Sequence, residues 1–231
     1  VIDLKKRFQY LFQNLLKSHP PTNNFPKATA SEFLRNRGLN PDNIDFEQHE
    51  ITVNGEAYPS VGFRIDKDTI NHRLIDYSGK DKTRNYGQYS GKIWKNKKLN
   101  YKKPIYVTEA VIDALSLMQG ASYQAVSCLS ASHLPKIFYQ SLNEHVQIVI
   151  AFDNDNAGIE AIHKHRKFLI VDCNISKSNI SVELPPSGKD WNDLLQDSLL
   201  QNRPLTKMTE WQWNEWRGSL LIDEKMETFE V

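Results

Sequence analysis

From Pro104 onward, short apolar runs alternate with helical stretches, and few folds accept that order. Pro104-Ile105-Tyr106-Val107-Thr108 is followed by a helical stretch from Ala110 to Met118. Ala125 to Leu129 precedes a helix over Leu134 to Leu142, and Val146 to Phe152, the most apolar run of the chain, precedes a helix over Ala157 to Phe168. Ile180 to Leu184 is a fourth strand, with a last helix after Asp190. Strands alternating with helices at this spacing predict an α/β unit: a mostly parallel sheet with covering helices. In such sheets chemistry gathers at the carboxyl ends of the strands.

The first half has another character. Leu4, Phe8, Leu11, Phe12, Leu15 and Leu16 recur at helical spacing, and Ser18-His19-Pro20-Pro21 ends that helix. Ser31 reads as the N-cap of a short helix ending at Gly38. Ile51 to Val53 and Tyr58 to Phe63 flank Asn54-Gly55, a tight hairpin signal. Ile70 to Tyr77 reads as a further strand, and a turn-rich run from Ser78 to Lys92 follows. The expectation is a small antiparallel α+β unit over residues 1–103, a parallel-sheet domain over 104–200, and an acidic tail over 201–231. The tail's Trp211, Trp213 and Trp216 are expected to pack on the body.

Net charge is +1, but the average conceals a pattern. Residues 64–103 carry 12 basic and 4 acidic groups, or +8; residues 1–63 balance, 104–209 carry −3 and 210–231 carry −4. Such a block is either a solvated lysine face or a grip for phosphates beside a part that holds cations. Tyr86, Tyr89 and Trp94 interleave with it, and either stack on bases or fill the core. Two cysteines, Cys128 and Cys173, cannot form a four-ligand zinc site alone. No apolar run has the roughly 20 residues of a membrane helix, so a cytoplasmic protein without a membrane partner is expected. Beginning at Val1, the chain reads as a piece of something longer.

Acidic residues fall where the strand-end rule puts chemistry. Glu109 ends the first strand of the second half, Asp153 and Asp155 end the third, and Asp190 and Asp193 follow the fourth. Carboxylates crowded at one edge are unfavourable unless a cation neutralises them. An all-oxygen donor set favours magnesium or manganese over zinc. Asp113, four residues after Glu109, either joins that face or serves the dipole of its helix. His163 and His165 lie two apart on a helix and face different ways.

Taken together, Glu109, Asp153-Asn154-Asp155-Asn156-Ala157-Gly158 and Gly188-Lys189-Asp190-Trp191-Asn192-Asp193 resemble the Toprim domain of bacterial-type primases, topoisomerases and some nucleases. In the first half, Arg37-Gly38-Leu39, Tyr58 to Arg64, Arg73 and the Gly87 and Gly91 loops resemble the basic subdomain that precedes Toprim in primases. The resemblance implies Glu109 as general acid/base or metal-organising carboxylate, and Asp153 and Asp155 as principal ligands. Asp190 completes the site for two Mg2+ or Mn2+ ions, with Asp193 and Asp113 as weaker members. It further implies synthesis of short RNA primers from ribonucleoside triphosphates on single-stranded DNA, in replication of a plasmid, phage or other mobile element. Arg37, Arg64, Arg73, Lys80, Lys82 and Arg84 would grip template or triphosphate. A replicative helicase or a fused upstream domain would be a partner. The same carboxylates would serve a nuclease, and a non-catalytic single-strand-binding accessory protein is a further alternative; the basic first half favours synthesis.

Two departures stand out. Ala110 replaces the glycine usual after the first glutamate, and the zinc-binding module of bacterial primases has no counterpart in this sequence.

Overall fold

Two four-stranded sheets organise the described residues, the first antiparallel and the second parallel. The computed structural model describes residues 29–186 and 189–200. The helix expected over Leu4 to Leu16, Gly188, and the tail with Trp211, Trp213 and Trp216 lie outside the described residues.

Helix α1 (Ala30–Asn36) is capped by Thr29, not by Ser31. The Thr29 hydroxyl accepts from the Glu32 N–H while the Glu32 carboxylate accepts from the Thr29 N–H, a reciprocal capping box that Ser31 cannot form. Strands β1 (Glu47–Val53) and β2 (Glu56–Asp66) join through Asn54 and Gly55, whose φ values of 52° and 84° are those of the expected two-residue hairpin turn. Strand β3 (Thr69–Leu74) follows, and β4 (Thr83–Tyr86) emerges from the run expected to be turns alone. Its residues are polar and lie on the sheet edge, so backbone pairing with β3 forms it without an apolar signature.

The second sheet has the order β6-β5-β7-β8 and is wholly parallel, as the alternation predicts. Its strands are β5 (Ile105–Thr108), β6 (Ala125–Ser127), β7 (Ile148–Ile150) and β8 (Ile180–Val182). The crossovers carry α2 (Val111–Gly120), α3 (Lys136–Gln140) and α4 (Asn156–Val171), and α5 (Trp191–Leu200) closes the unit. Helix α3 is shorter than its apolar pattern because it starts only after Pro135.

Both faces of this sheet are covered, which is why its strands read as continuous apolar runs. Ile105, Val107, Ile148 and Ile150 pack with Phe138, Tyr139, Ile162 and Leu169 on one side. On the other, Tyr106 and Val149 join a core that crosses between the halves and includes Leu34, Val61, Phe63, Leu117 and Leu194. Trp94 belongs to this shared core, 2% exposed and edge-on to Phe63 at 5.8 Å between ring centroids, which settles it as packing. Tyr89 is half-buried against His133, while Tyr86 stays 47% exposed. The backbone of Trp94 exchanges two hydrogen bonds with Ser127, so the connecting segment runs along the free edge of β6. His165 is buried and bonded through Nδ1 to the Tyr139 hydroxyl at 2.7 Å, while His163 faces outward. No helix among the described residues is long and apolar enough to cross a membrane.

Candidate functional site

The carboxyl ends of β5, β7 and β8 share one edge, because the strands are parallel and in register. The chain leaves β5 at Thr108 and presents Glu109 before α2 begins. Ala110 there has φ −106°, an extended conformation open to any residue, so the departure from glycine costs the backbone nothing. Past β7, Asp153 follows two buried residues and Asp155 caps α4, its Oδ1 accepting from the Gly158 N–H at 2.9 Å. Past β8, Asp190 accepts from the Asp193 N–H at 2.7 Å and shapes the first turn of α5. Asp193 turns back to the Lys189 N–H at 3.1 Å.

Glu109 and Asp153 meet directly, Glu109 Oε1 accepting from the Asp153 N–H at 3.2 Å. A Cβ at Gly158 would stand 2.2 Å from the Asp153 carbonyl and 3.0 Å from Glu109 Oε1. The absence of a side chain at Gly158 therefore lets α4 close over this pair.

Charge in this cluster is under strain. Asp153 Oδ1 is shut from solvent without a hydrogen-bond partner. Burial, then Glu109 and Asp190, push the Asp153 carboxyl up to about 7. Burial likewise raises Glu109, and raises Asp113 well above the usual carboxylate range, with Asp190 and Asp153 adding to the latter. Asp113 is 4% exposed on α2, too deep to serve only the helix dipole. Asp155 goes the other way: the Gly158 N–H and the Lys189 ammonium, 3.0 Å from Oδ2, hold it below its ordinary value. Among the described residues no three His, Cys, Asp or Glu side chains already surround one point as a metal cage. The donor set nonetheless fits a hard divalent cation, being all oxygen with a buried, unpartnered Asp153 Oδ1 at its centre.

Facing Asp113 and Asp190 across a cavity of about 60 Å³ are Arg37 and Arg73, with Phe63 and Leu129 as apolar walls. The Arg73 Nε is buried without a partner, and burial, then Arg37, lower its pKa. Leu129 is held at φ +76°, a strained setting for a branched side chain, by its N–H bond to the Ser127 hydroxyl at 2.9 Å. Leu129 lies at the start of the loop leaving β6 at the same edge, where Ser127 Oγ also donates to the Glu109 carbonyl at 2.8 Å.

Strand register decides which of the expected phosphate-gripping residues come here. Arg73 pairs with Val61 and points inward. Arg64 and Arg84 fall on the opposite face: Arg64 forms a fork with Glu47, its Nη2 at 2.7 Å, and Arg84 folds onto the Asp81 and Thr83 carbonyls and the Tyr77 ring. Lys80 and Lys82 are exposed around the β3–β4 turn. Arg37, at the C-cap of α1, is fixed by Asn192: the Asn192 Nδ2 donates to the Arg37 carbonyl at 2.8 Å and its Oδ1 accepts from Nη1 at 3.2 Å.

Sequence reasoning missed Lys189 and Asn192. Asn192 is 1% exposed, and its N–H donates to Asp113 Oδ1 at 3.2 Å while Nδ2 also reaches the Ser116 hydroxyl at 3.0 Å. Both residues adjoin Asp190, but their partners lie in other elements, and no local spacing announces them.

Residues 106–195 match the Toprim-like family model, so this stretch is a Toprim-like domain. The resemblance to Toprim-domain primases read from the sequence holds for the fold of both halves. The chain is similar to the primase fragment of the bacteriophage T7 primase-helicase, with 22% identity and a TM-score of 0.53 over 77% of this chain and 76% of that one. It is similar to the DnaG primase catalytic domain bound to single-stranded DNA, with 17% identity and a TM-score of 0.57 over 83% and 73%. A DNA primase domain from Pseudomonas aeruginosa gives 19%, 0.53, 80% and 70%. No curated protein matches the chain in sequence.

Proposed function

We propose that this chain is the nucleotidyl-transfer core of a primase-like enzyme. It would make short RNA primers on single-stranded DNA from ribonucleoside triphosphates, in replication of a plasmid, phage or other mobile element. One observation carries the reading: a charge-strained carboxylate edge stands across a small cavity from two arginines, one with a buried, unpartnered Nε. Negative charge that must be neutralised faces positive charge that lacks an anion, at the junction of two sheets arranged as in primase cores.

The reaction joins a primer 3′-hydroxyl to the α-phosphate of a nucleotide and expels pyrophosphate. Divalent magnesium or manganese, held by Asp153 and Asp155 with Asp190, would lower the hydroxyl's pKa and neutralise charge on the phosphates. The Lys189 ammonium 3.0 Å from Asp155 Oδ2 supports a positive charge at this carboxylate. Glu109, kept basic by burial, receives the hydroxyl proton on the carboxylate beside Asp153. Arg37 and Arg73 hold the pyrophosphate, with Asn192 steering Arg37 and Asp113 together. Arg64, Arg84, Lys80 and Lys82, on the outer face and turn of the first sheet, would contact template beyond the cavity.

The test incubates the chain with single-stranded DNA, labelled ribonucleotides and magnesium or manganese. Short labelled oligomers that vanish with Asp153→Ala support the proposal. Shortened template in their place would assign the carboxylates to a nuclease. A gel shift with neither product would leave a binding module.

A further inference from the structure

The segment joining the two sheets carries the densest positive charge of the chain, and the proposed chemistry leaves it unused. No Asp or Glu occurs between Asp81 and Glu109, while Lys92, Lys95, Lys97, Lys98, Lys102 and Lys103 all do. Lys92 is engaged by Asp66, its Nζ 2.7 Å from Oδ2. The other five are exposed and form no ion pair among the described residues. Exposed Tyr101 lies among them.

This segment is not a loose loop. Trp94 and Leu99 are buried, at 2% and 8% exposure, and anchor it from beneath. Trp94 pairs with Ser127 at one end, and at the other Asn100 exchanges hydrogen bonds with the Gln124 side chain, the Nε2 donating at 3.1 Å. Asn96 Nδ2 donates to the Asn43 carbonyl; the nearby acids are the exposed Asp42 and Asp45 flanking Asn43. Between the anchors at Trp94 and Asn100, Lys95, Lys97 and Lys98 are exposed to solvent, and Lys102 and Lys103 follow just past the second anchor, exposed as well. The strap therefore runs antiparallel to β6 from Ser127, at the carboxylate edge, to Gln124 three residues away, about 10 Å along the strand. Its site-proximal end is one hydrogen bond from Glu109, through the Ser127 hydroxyl.

We infer that this lysine strap is a phosphate track for the single-stranded nucleic acid that enters the site. It prolongs the grip on the strand backbone along the outer edge of β6, away from the arginine cavity. A row of ammonium groups fixed from below gives sequence-independent, salt-sensitive contact with consecutive phosphates, and Tyr101 offers a stacking face. A length of about 10 Å suits two or three phosphates. The inference rests on the nucleic-acid reading above, and its test separates the two.

The measurement is fluorescence anisotropy of labelled homothymidine strands against the whole chain over a salt series. One strand has about four nucleotides, the low end of single-strand site sizes, and the other is several times longer. The variant carries Lys95→Gln, Lys97→Gln, Lys98→Gln, Lys102→Gln and Lys103→Gln, and a control carries Lys164→Gln and Lys167→Gln on α4. The strap variant should bind the long strand about tenfold more weakly, with a log–log salt slope shallower by about 1.5 to 2. The short strand and the control variant should bind as before. A Lys97→Glu, Lys98→Glu variant, with melting unchanged, should weaken long-strand binding in the same direction.

Equal slopes for wild type and strap variant on the long strand overturn the track and leave the primase reading standing. Wild type that binds no strand and makes no primer overturns both. Loss of binding to phosphatidylserine vesicles, with strand binding intact, overturns the track in favour of a membrane surface.

Discussion

At the scale of single residues, Asp153 is where stability and chemistry conflict most openly. Its Oδ1 is buried without a partner, and its carboxyl resists ionisation up to about 7. Asp153→Asn removes the charge but keeps the shape. It should abolish primer synthesis by a factor of about 100 or more while stabilising the fold by about 1 kcal/mol, read as a rise in Tm. A variant that is inactive and also less stable would mean the carboxylate supports the fold. Gly158 makes the complementary case. An added Cβ 2.2 Å from the Asp153 carbonyl forces α4 back, so Gly158→Ala should cost about 1 to 3 kcal/mol in denaturant unfolding. Unchanged stability there would show that the helix start gives way freely. The acidic positions of this site were legible because strand ends are recognisable from apolar runs. Directions of side chains were not. Arg73 points into the cavity and Arg64 away from it because Arg73 pairs with Val61, an odd number of residues before Arg64 on β2, and that pairing register has no local signature.

Among elements, the junction of α1, α2 and α5 is held by one side chain. The Asn192 side chain bonds the C-cap residue of α1, Ser116 of α2 and Gln196 one turn along its own helix, while its backbone N–H donates to Asp113 of α2. Asn192→Ala leaves the Arg37 carbonyl and the Ser116 hydroxyl short of a donor and should cost about 2 to 3 kcal/mol. Because it also releases Arg37, primer synthesis should fall further than a purely structural loss of folded protein explains, with nucleotide KM rising more than kcat falls. Thr29→Ala, which breaks only the capping box of α1, gives the comparison at about 1 kcal/mol and an unaltered KM. If the two variants behaved alike kinetically, Asn192 would be a packing residue alone. The elements themselves were readable to different degrees. Three of the four parallel strands, β5, β6 and β7, are buried at every residue, and that burial on both faces makes their runs mainly apolar and readable. Strand β4 did not, since an edge strand of Thr-Arg-Asn-Tyr carries no alternation and exists through its partner.

For the whole molecule, the net charge of +1 hides a division between a lysine strap and a carboxylate edge, and buried titratable groups other than the proposed ligands set how the fold answers to pH. Glu183 accepts from the Tyr106 hydroxyl at 3.2 Å, yet burial pushes its carboxyl from 4.5 up to about 7. The unfolded chain gives up this proton first, so the associated stability is whole below pH 4.5 and is lost as pH rises through 7. His72 and His165 act with the opposite sign. Burial lowers them from 6.5 to about 4 and about 3, so the unfolded chain takes up protons that the folded one refuses. Stability drains away as pH falls below 6.5. The two limbs overlap between pH 4.5 and 6.5, and variants separate them. Glu183→Gln should match wild type near pH 4 and exceed it by on the order of 2 kcal/mol at pH 8. His165→Gln, whatever its cost at neutral pH, should lose less than wild type between 6.5 and 4 because one of the two refusing imidazoles is gone. Urea unfolding at a series of pH values reads both differences. Curves for Glu183→Gln and wild type that stay parallel from pH 4 to 8 would place Glu183 in contact with solvent, and with it the closed face between Tyr106 and β8.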